Sequence, residues 1–272
     1  MKFSRIVSLG LVVPALMVTA PAAQAGVGDL LVAPTRVVLD GRRGTEIILN
    51  NIGDDVATYR VSAELRRMTP DGKLVDVELP NDKEKAAQEM VLYAPRKVTL
   101  PPNQPQAIRL SARAPAGLAD GEYRVHLLFR AVPPPMPHVA SDKKIEGVAF
   151  QLRPIYGVTI PVIVRLGNLE AKAAISNVRK VSDEGKPAIA LDVSRNGSRS
   201  TFGEIRIFKA GVEKPIAVAA GVAVYTEIGQ RSVMVPIEPD KAAYASGQVT
   251  VQYVEPTDTG PVTLAETSAV LN

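Results

Sequence analysis

The sequence predicts an all-β protein built from two immunoglobulin-like β-sandwich domains. Three observations predict it. Short segments alternate between apolar and polar residues, the period-two pattern of half-buried strands. Clusters of Gly, Pro, Asn and Asp punctuate them at short intervals, as in sandwiches. The pattern also restarts after "GNLE", Gly167 to Glu170, so 272 residues divide into two sets of strands.

The first 25 residues stand apart from this pattern. "MKFSR" is a short basic start, "IVSLGLVVPALMVTA" an apolar run, and Ala23 to Ala25 a small-x-small exit. Together they predict a cleaved secretory signal peptide, residues 1–25. The apolar run is short for a bilayer span and holds Pro14, and no later segment is long and apolar enough to insert in a membrane. Domains are then predicted at 26–167 and 168–272.

Within the first domain, "RVVLDG", "TEIILNN" and "RKVTLPPNQPQAIRLSAR" read as short strands. In "ATYRVSAELRR", Tyr59, Val61, Ala63 and Leu65 share one face and Arg60, Ser62, Glu64 and Arg66 the other. "TPDGK", Thr69 to Lys73, has turn chemistry. "DKEKAAQEM", Asp82 to Met90, is the one stretch that offers a helical alternative, but it is polar and reads as a loop. In "EYRVHLLFRAV", Tyr123, Val125, Leu127 and Phe129 point inward, opposite Arg124, His126 and Arg130. After the Pro-rich run 133–146 comes "GVAFQLRPIYGVTIPVIVR", Gly147 to Arg165. Val148, Phe150, Leu152, Pro154, Tyr156, Val158, Ile160, Val162 and Val164 form one nearly unbroken apolar row. That is about three times the usual strand length of five or six residues. It is either one kinked core strand or a strand part of which pairs with something else.

In the second domain the strands are "AAISNVRKV", "AIALDVSRNGSRS", "GEIRIFKAG", "KPIAVAAGVAVYTEI", "RSVMVPI" and "SGQVTVQYVEP". Asn196-Gly197 is read as a hairpin or bulge turn.

Charge and composition exclude several functions. The chain has 32 Lys and Arg against 28 Asp and Glu, and two of the basic residues fall in the signal, so nothing favours nucleic acid. Cysteine is absent, which excludes disulfides and thiolate metal sites; two histidines exclude a His-rich one, and no cofactor is implied. No metalloprotease, serine-hydrolase, P-loop or dinucleotide motif is present. His126 reads as a solvated strand residue and His138 as a solvated loop residue, neither with a catalytic partner, so an enzyme is not predicted. Arg36, Arg124, Arg130 and Arg153 lie in or beside strands. They are either ordinary outward arginines or forks for a carboxylate.

Three stretches resemble the first domain of the PapD-like periplasmic pilus chaperones of the chaperone–usher pathway. "APTRVVLDG" (Ala33 to Gly41) resembles their first strand. "NNIGDDVATYRVSAEL" (Asn50 to Leu65) resembles their second and third. "LPPNQPQAIRLSARAPAGLADGEYRVHLLFRAVPP" (Leu100 to Pro134) resembles the long region that follows. One branch of that family has a lysine where Pro161 stands in "TIPVIVRLG"; the isoleucine-proline pair resembles the archaic branch.

The resemblance implies a periplasmic, non-enzymatic chaperone. It would bind pilus or fimbrial subunits by donor-strand complementation and pass them to an outer-membrane usher. Val148, Phe150, Leu152 and Tyr156 would be lent to a subunit that lacks its last strand, while Val158 to Val164 stay in the chaperone's own core. Burying three or four such side chains is worth about 5–12 kcal/mol gross, less about 1–2 kcal/mol per residue ordered. Arg124 and Arg36, with Arg153 ranked lower, would hold the subunit's C-terminal carboxylate. An uncovered apolar strand also invites self-association of the free form. The alternative is a structural or adhesive two-sandwich protein of the cell surface, with 147–165 as an ordinary core strand.

Overall fold

A computed structural model describes residues 29–133 and 154–272. The predicted signal peptide, His138, Val148, Phe150, Leu152 and Arg153 lie outside these residues.

Alternation translates directly into sheets. The first strand is broken in two. β1 (Leu30–Ala33) pairs with β3 (Thr45–Asn51), whereas β2 (Val37–Leu39) crosses to the opposite sheet. β4 (Ala57–Glu64) follows, then the small hairpin of β5 (Arg66–Met68) and β6 (Leu74–Asp76). Helix α1 (Asp82–Met90) leads into β7 (Val91–Ala94), β8 (Lys97–Leu100), β9 (Pro105–Ala112), β10 (Gly121–Val132) and β11 (Gly157–Leu166). One sheet runs β1-β3-β9-β7 and the other β2-β11-β10-β4-β8. Tyr59, Phe129, Ile47, Leu49, Ile108 and Leu127 interdigitate between them, each at most 1% exposed.

The second sandwich has its own core. β12 (Ala171–Asp183), β13 (Lys186–Gly197) and β16 (Gln230–Pro236) form one sheet. β15 (Ala217–Val224), β14 (Thr201–Lys209), β17 (Gly247–Thr257) and β18 (Gly260–Leu271) form the other. Ile189, Leu191, Val193, Ile205, Ile207, Val251 and Tyr253 fill the space between. Tyr253 satisfies its buried hydroxyl by donating to the Val222 carbonyl at 2.8 Å. No helix among the described residues is long and apolar enough to cross a membrane.

Two local expectations are corrected. Asp82–Met90 is a helix, not a loop. Its start is a capping box: the Asn81 side chain accepts from the Glu84 N–H at 2.9 Å, and the Glu84 carboxylate accepts from the Asn81 N–H at 2.8 Å. Only Ala87 and Met90 are buried, too few to write a helical stripe into the sequence. Asn196-Gly197 closes no hairpin. It ends β13 just before the chain changes sheet, where a Cβ on Gly197 would lie 2.3 Å from the Glu170 carbonyl.

The two sandwiches meet through a third, smaller cluster. Met68, Ile163, Ala223 and Tyr225 are buried together, with Phe202 and Ile228 packed against them. The β5–β6 hairpin reaches across as well: the Ser232 N–H donates to the Pro70 carbonyl at 2.8 Å.

Candidate functional site

β11 has two edges that differ. On one side it pairs with β10 along its whole length, from Gly157 opposite Arg130 to Leu166 opposite Gly121. On the other it meets β2, but only over Val162–Val164. No described strand covers that side of Gly157–Pro161. Among the described residues no strand takes up the backbone groups there, the condition that strand addition requires. Pro161, with no N–H of its own, takes the last place before β2 begins.

Burial along the strand shows what this edge carries. Val164 and Val162 are fully buried, Ile160 is 2% exposed and Val158 is half-buried; Tyr156, next in the row, is 55% exposed. Ile155 beside it is 48% exposed. The Tyr156 carbonyl still accepts the Ala131 N–H at 2.9 Å, so the ladder continues while the side chains leave the core.

Followed toward its C-terminus, β11 enters the groove between the sandwiches, and two of the predicted arginines are there. Arg36 immediately precedes β2, so its backbone lies where the open edge stops. Its guanidinium sits 4.5 Å from the Phe202 ring centroid and 6.0 Å from that of Tyr225. Nη2 reaches Ser200 Oγ at 3.4 Å, and buried Nη1 has no partner among the described residues. Burial, the largest influence, holds its pKa below the ordinary arginine value. Arg124, on β10, lies 3.6 Å from the Tyr225 centroid on a side chain only 9% exposed. Cation–π attraction of this kind is worth about 2 kcal/mol where the cation is desolvated. Arg124 is further fixed by the Arg66 carbonyl at 2.9 Å and by a two-pronged pair with Glu227, at 2.5 and 3.1 Å. Glu227 Oε1 also accepts the Met68 N–H at 2.8 Å.

A further link between the domains runs from Ser200 of the second to a buried ion pair of the first. The Glu122 side chain is 1% exposed, and its Oε2 accepts from Arg165 Nε and from the Ser200 N–H, both at 3.0 Å. Arg165 also donates to the Ser200 carbonyl at 3.3 Å. Glu122→Gln keeps the shape but removes the charge from these hydrogen bonds. It is expected to lower the unfolding free energy by about 2 kcal/mol, read as a shift in urea midpoint.

Other predicted residues are placed elsewhere. Arg130 is exposed, opposite Arg60 and Gly157 and away from the groove. His126 is not solvated: it is 1% exposed, with both ring nitrogens unpartnered among the described residues and Tyr225 edge-on at 6.4 Å. The face opposite the first core would be wet in an isolated sandwich; here the second domain covers it. Tyr225, Glu227, Phe202 and Glu122 escaped sequence reasoning. Three of them come from the second domain, where no spacing links them to an arginine in the first.

No family model matches this chain, and no curated protein matches it. Among solved structures it is similar to a crystal structure of the YadV chaperone, at 15% identity and a TM-score of 0.45, covering 89% of this chain and 100% of that one. It is equally similar to the crystal structure of the Pseudomonas aeruginosa CupB2 chaperone, at 15% identity and a TM-score of 0.45 over 89% of this chain and 100% of that one. The CsuC–CsuE chaperone–tip adhesion subunit complex of the archaic chaperone-usher Csu pili of Acinetobacter baumannii gives 13% identity and a TM-score of 0.43 over 89% and 97%.

Proposed function

We propose that this chain is a non-enzymatic periplasmic chaperone, exported by residues 1–25, that completes pilus subunits by lending them a strand and hands them to an outer-membrane usher. Its two working parts are the 26–167 domain, which lends the strand, and the 168–272 domain, which closes the groove. The observation that carries this reading is the row on β11. It passes from full burial at Val162 to a Tyr156 that is 55% exposed, its edge over Gly157–Pro161 has no described strand partner, and it ends at a groove holding Arg36 and Arg124.

Each feature supplies one requirement of strand addition. The open backbone of Gly157–Pro161 offers hydrogen bonds to any extended chain. Val148, Phe150, Leu152 and Tyr156 offer alternate side chains to a subunit's unfilled groove. β11 runs toward the arginines, so a client strand lying parallel to it brings its C-terminal carboxylate to Arg36 and Arg124. An arginine fork suits a carboxylate better than an ammonium does, because two parallel hydrogen bonds also fix direction.

The test is co-expression with a subunit encoded beside this gene. A stable one-to-one complex, recovered through a tag on either partner, is the expected result. Recovery of the subunit only as aggregate, whether or not this chain is present, would overturn the proposal.

A further inference from the structure

Arg124 already holds a carboxylate. Glu227, from the connection between β15 and β16, occupies both outer nitrogens of the guanidinium, at 3.1 Å from Nη1 and 2.5 Å from Nη2. We propose that Glu227 is an internal occupant of the Arg124 fork, holding the place that a client's terminal carboxylate takes on capture. This rests on the chaperone reading and adds a gate to it.

Three features argue for exchange rather than a permanent clamp. First, the fork stays in position without Glu227. Tyr225 beneath it and the Arg66 carbonyl at 2.9 Å hold Arg124 independently. Second, the partners differ in access to water: the Glu227 side chain is 24% exposed against 9% for Arg124, so the carboxylate is the one able to swing out. Third, a cavity of about 180 Å³ opens onto both of them and carries Lys83, which makes no ion pair among the described residues. The other two carboxylates on that cavity are taken, Glu84 by Arg67 and Glu122 by Arg165. A carboxylate entering there meets spare positive charge. The swap is like for like, since the Met68 N–H that Glu227 releases is a donor for the incoming group.

The consequence is selectivity. A chain that merely pairs with the open edge gains nothing at the fork, whereas one that ends there in a carboxylate displaces Glu227. The test uses acetate as the probe, titrated into full-length protein against chloride at constant ionic strength. The ¹⁵N resonance of Arg124 Nε is followed and assigned by its loss in Arg124→Lys. Glu227→Gln, with Glu227→Ala as a second form should the amide disturb packing, is expected to bind acetate at least tenfold more tightly than the native protein. Equal response in all three forms overturns the gate, while subunit capture by the native protein leaves the chaperone reading standing. A tenfold gain with no subunit captured overturns the chaperone reading instead.

Discussion

Phe150→Asp is expected to abolish capture of a pilus subunit and leave the chaperone folded. A phenylalanine seated in a subunit's groove contributes about 1.5–3 kcal/mol. A charged side chain in the same apolar place costs several kcal/mol more. A loss above about 4 kcal/mol is on the order of a thousandfold in affinity. Because Phe150 lies outside the described residues, two variants on the same row calibrate the result. Tyr156 is 55% exposed in the free protein, so Tyr156→Asp should melt like the native chain yet weaken capture about tenfold or more. Ile160 is 2% exposed, so Ile160→Asp should unfold the first domain outright. Circular dichroism separates the folded variants from the unfolded one, and recovery of tagged complex measures capture. The proposal fails if Phe150→Asp melts with Ile160→Asp, because the row would then be ordinary core. It fails equally if both aspartates outside the core capture subunit at the native level.

The row shows what period-two patterning conveys and what it omits. Alternation placed Tyr123, Val125, Leu127 and Phe129 on an inward face, and they are 5, 0, 0 and 0% exposed. The same rule makes the opposite face of β10 a solvent face, yet His126 on it is 1% exposed. In a two-domain chain the outer face of one sheet can be the inner face of an interface. Ile163 makes the same point from β11: it lies opposite Val162 and Val164 in the alternation and is still fully buried, against Met68, Ala223 and Tyr225. Arg36 and Arg124 could be named from family-like motifs around them. Their partners could not, because Tyr225 and Glu227 reach them only through the way the sandwiches pack. Helix α1 leaves little trace in the sequence for a simpler reason. It contributes Ala87 and Met90 to the core, with Ala86 packed against it, and a capping box at its start, and its other residues are polar.

His126 makes the fold sensitive to acid, and the size of the effect follows from its surroundings. Burial, reinforced by the charges of Arg124 and Arg66, pushes its pKa down from 6.5 to about 3. Between those values the unfolded chain carries a proton on this imidazole that the native chain lacks. Stability is therefore fully present above about pH 6.5 and lost as pH falls, by about 1.4 kcal/mol per unit, until about pH 3. Carboxylates held below their ordinary pKa, such as Asp192 with Asn177 and Ser232, and Glu84 with Arg67, add to acid unfolding only in the lower range where unfolded carboxylates begin to protonate. The interval from about pH 6.5 to 5 thus isolates the histidine. Urea unfolding there is expected to lose about 1–2 kcal/mol in the native protein. His126→Leu should flatten that slope. It need not destabilise the protein at neutral pH, because the two ring nitrogens it removes have no partners to lose among the described residues. A slope unchanged by the substitution would mean that the imidazole takes up its proton in the folded state, which needs an acceptor or solvent path inside the groove that Tyr225, Arg124 and Arg66 now close off.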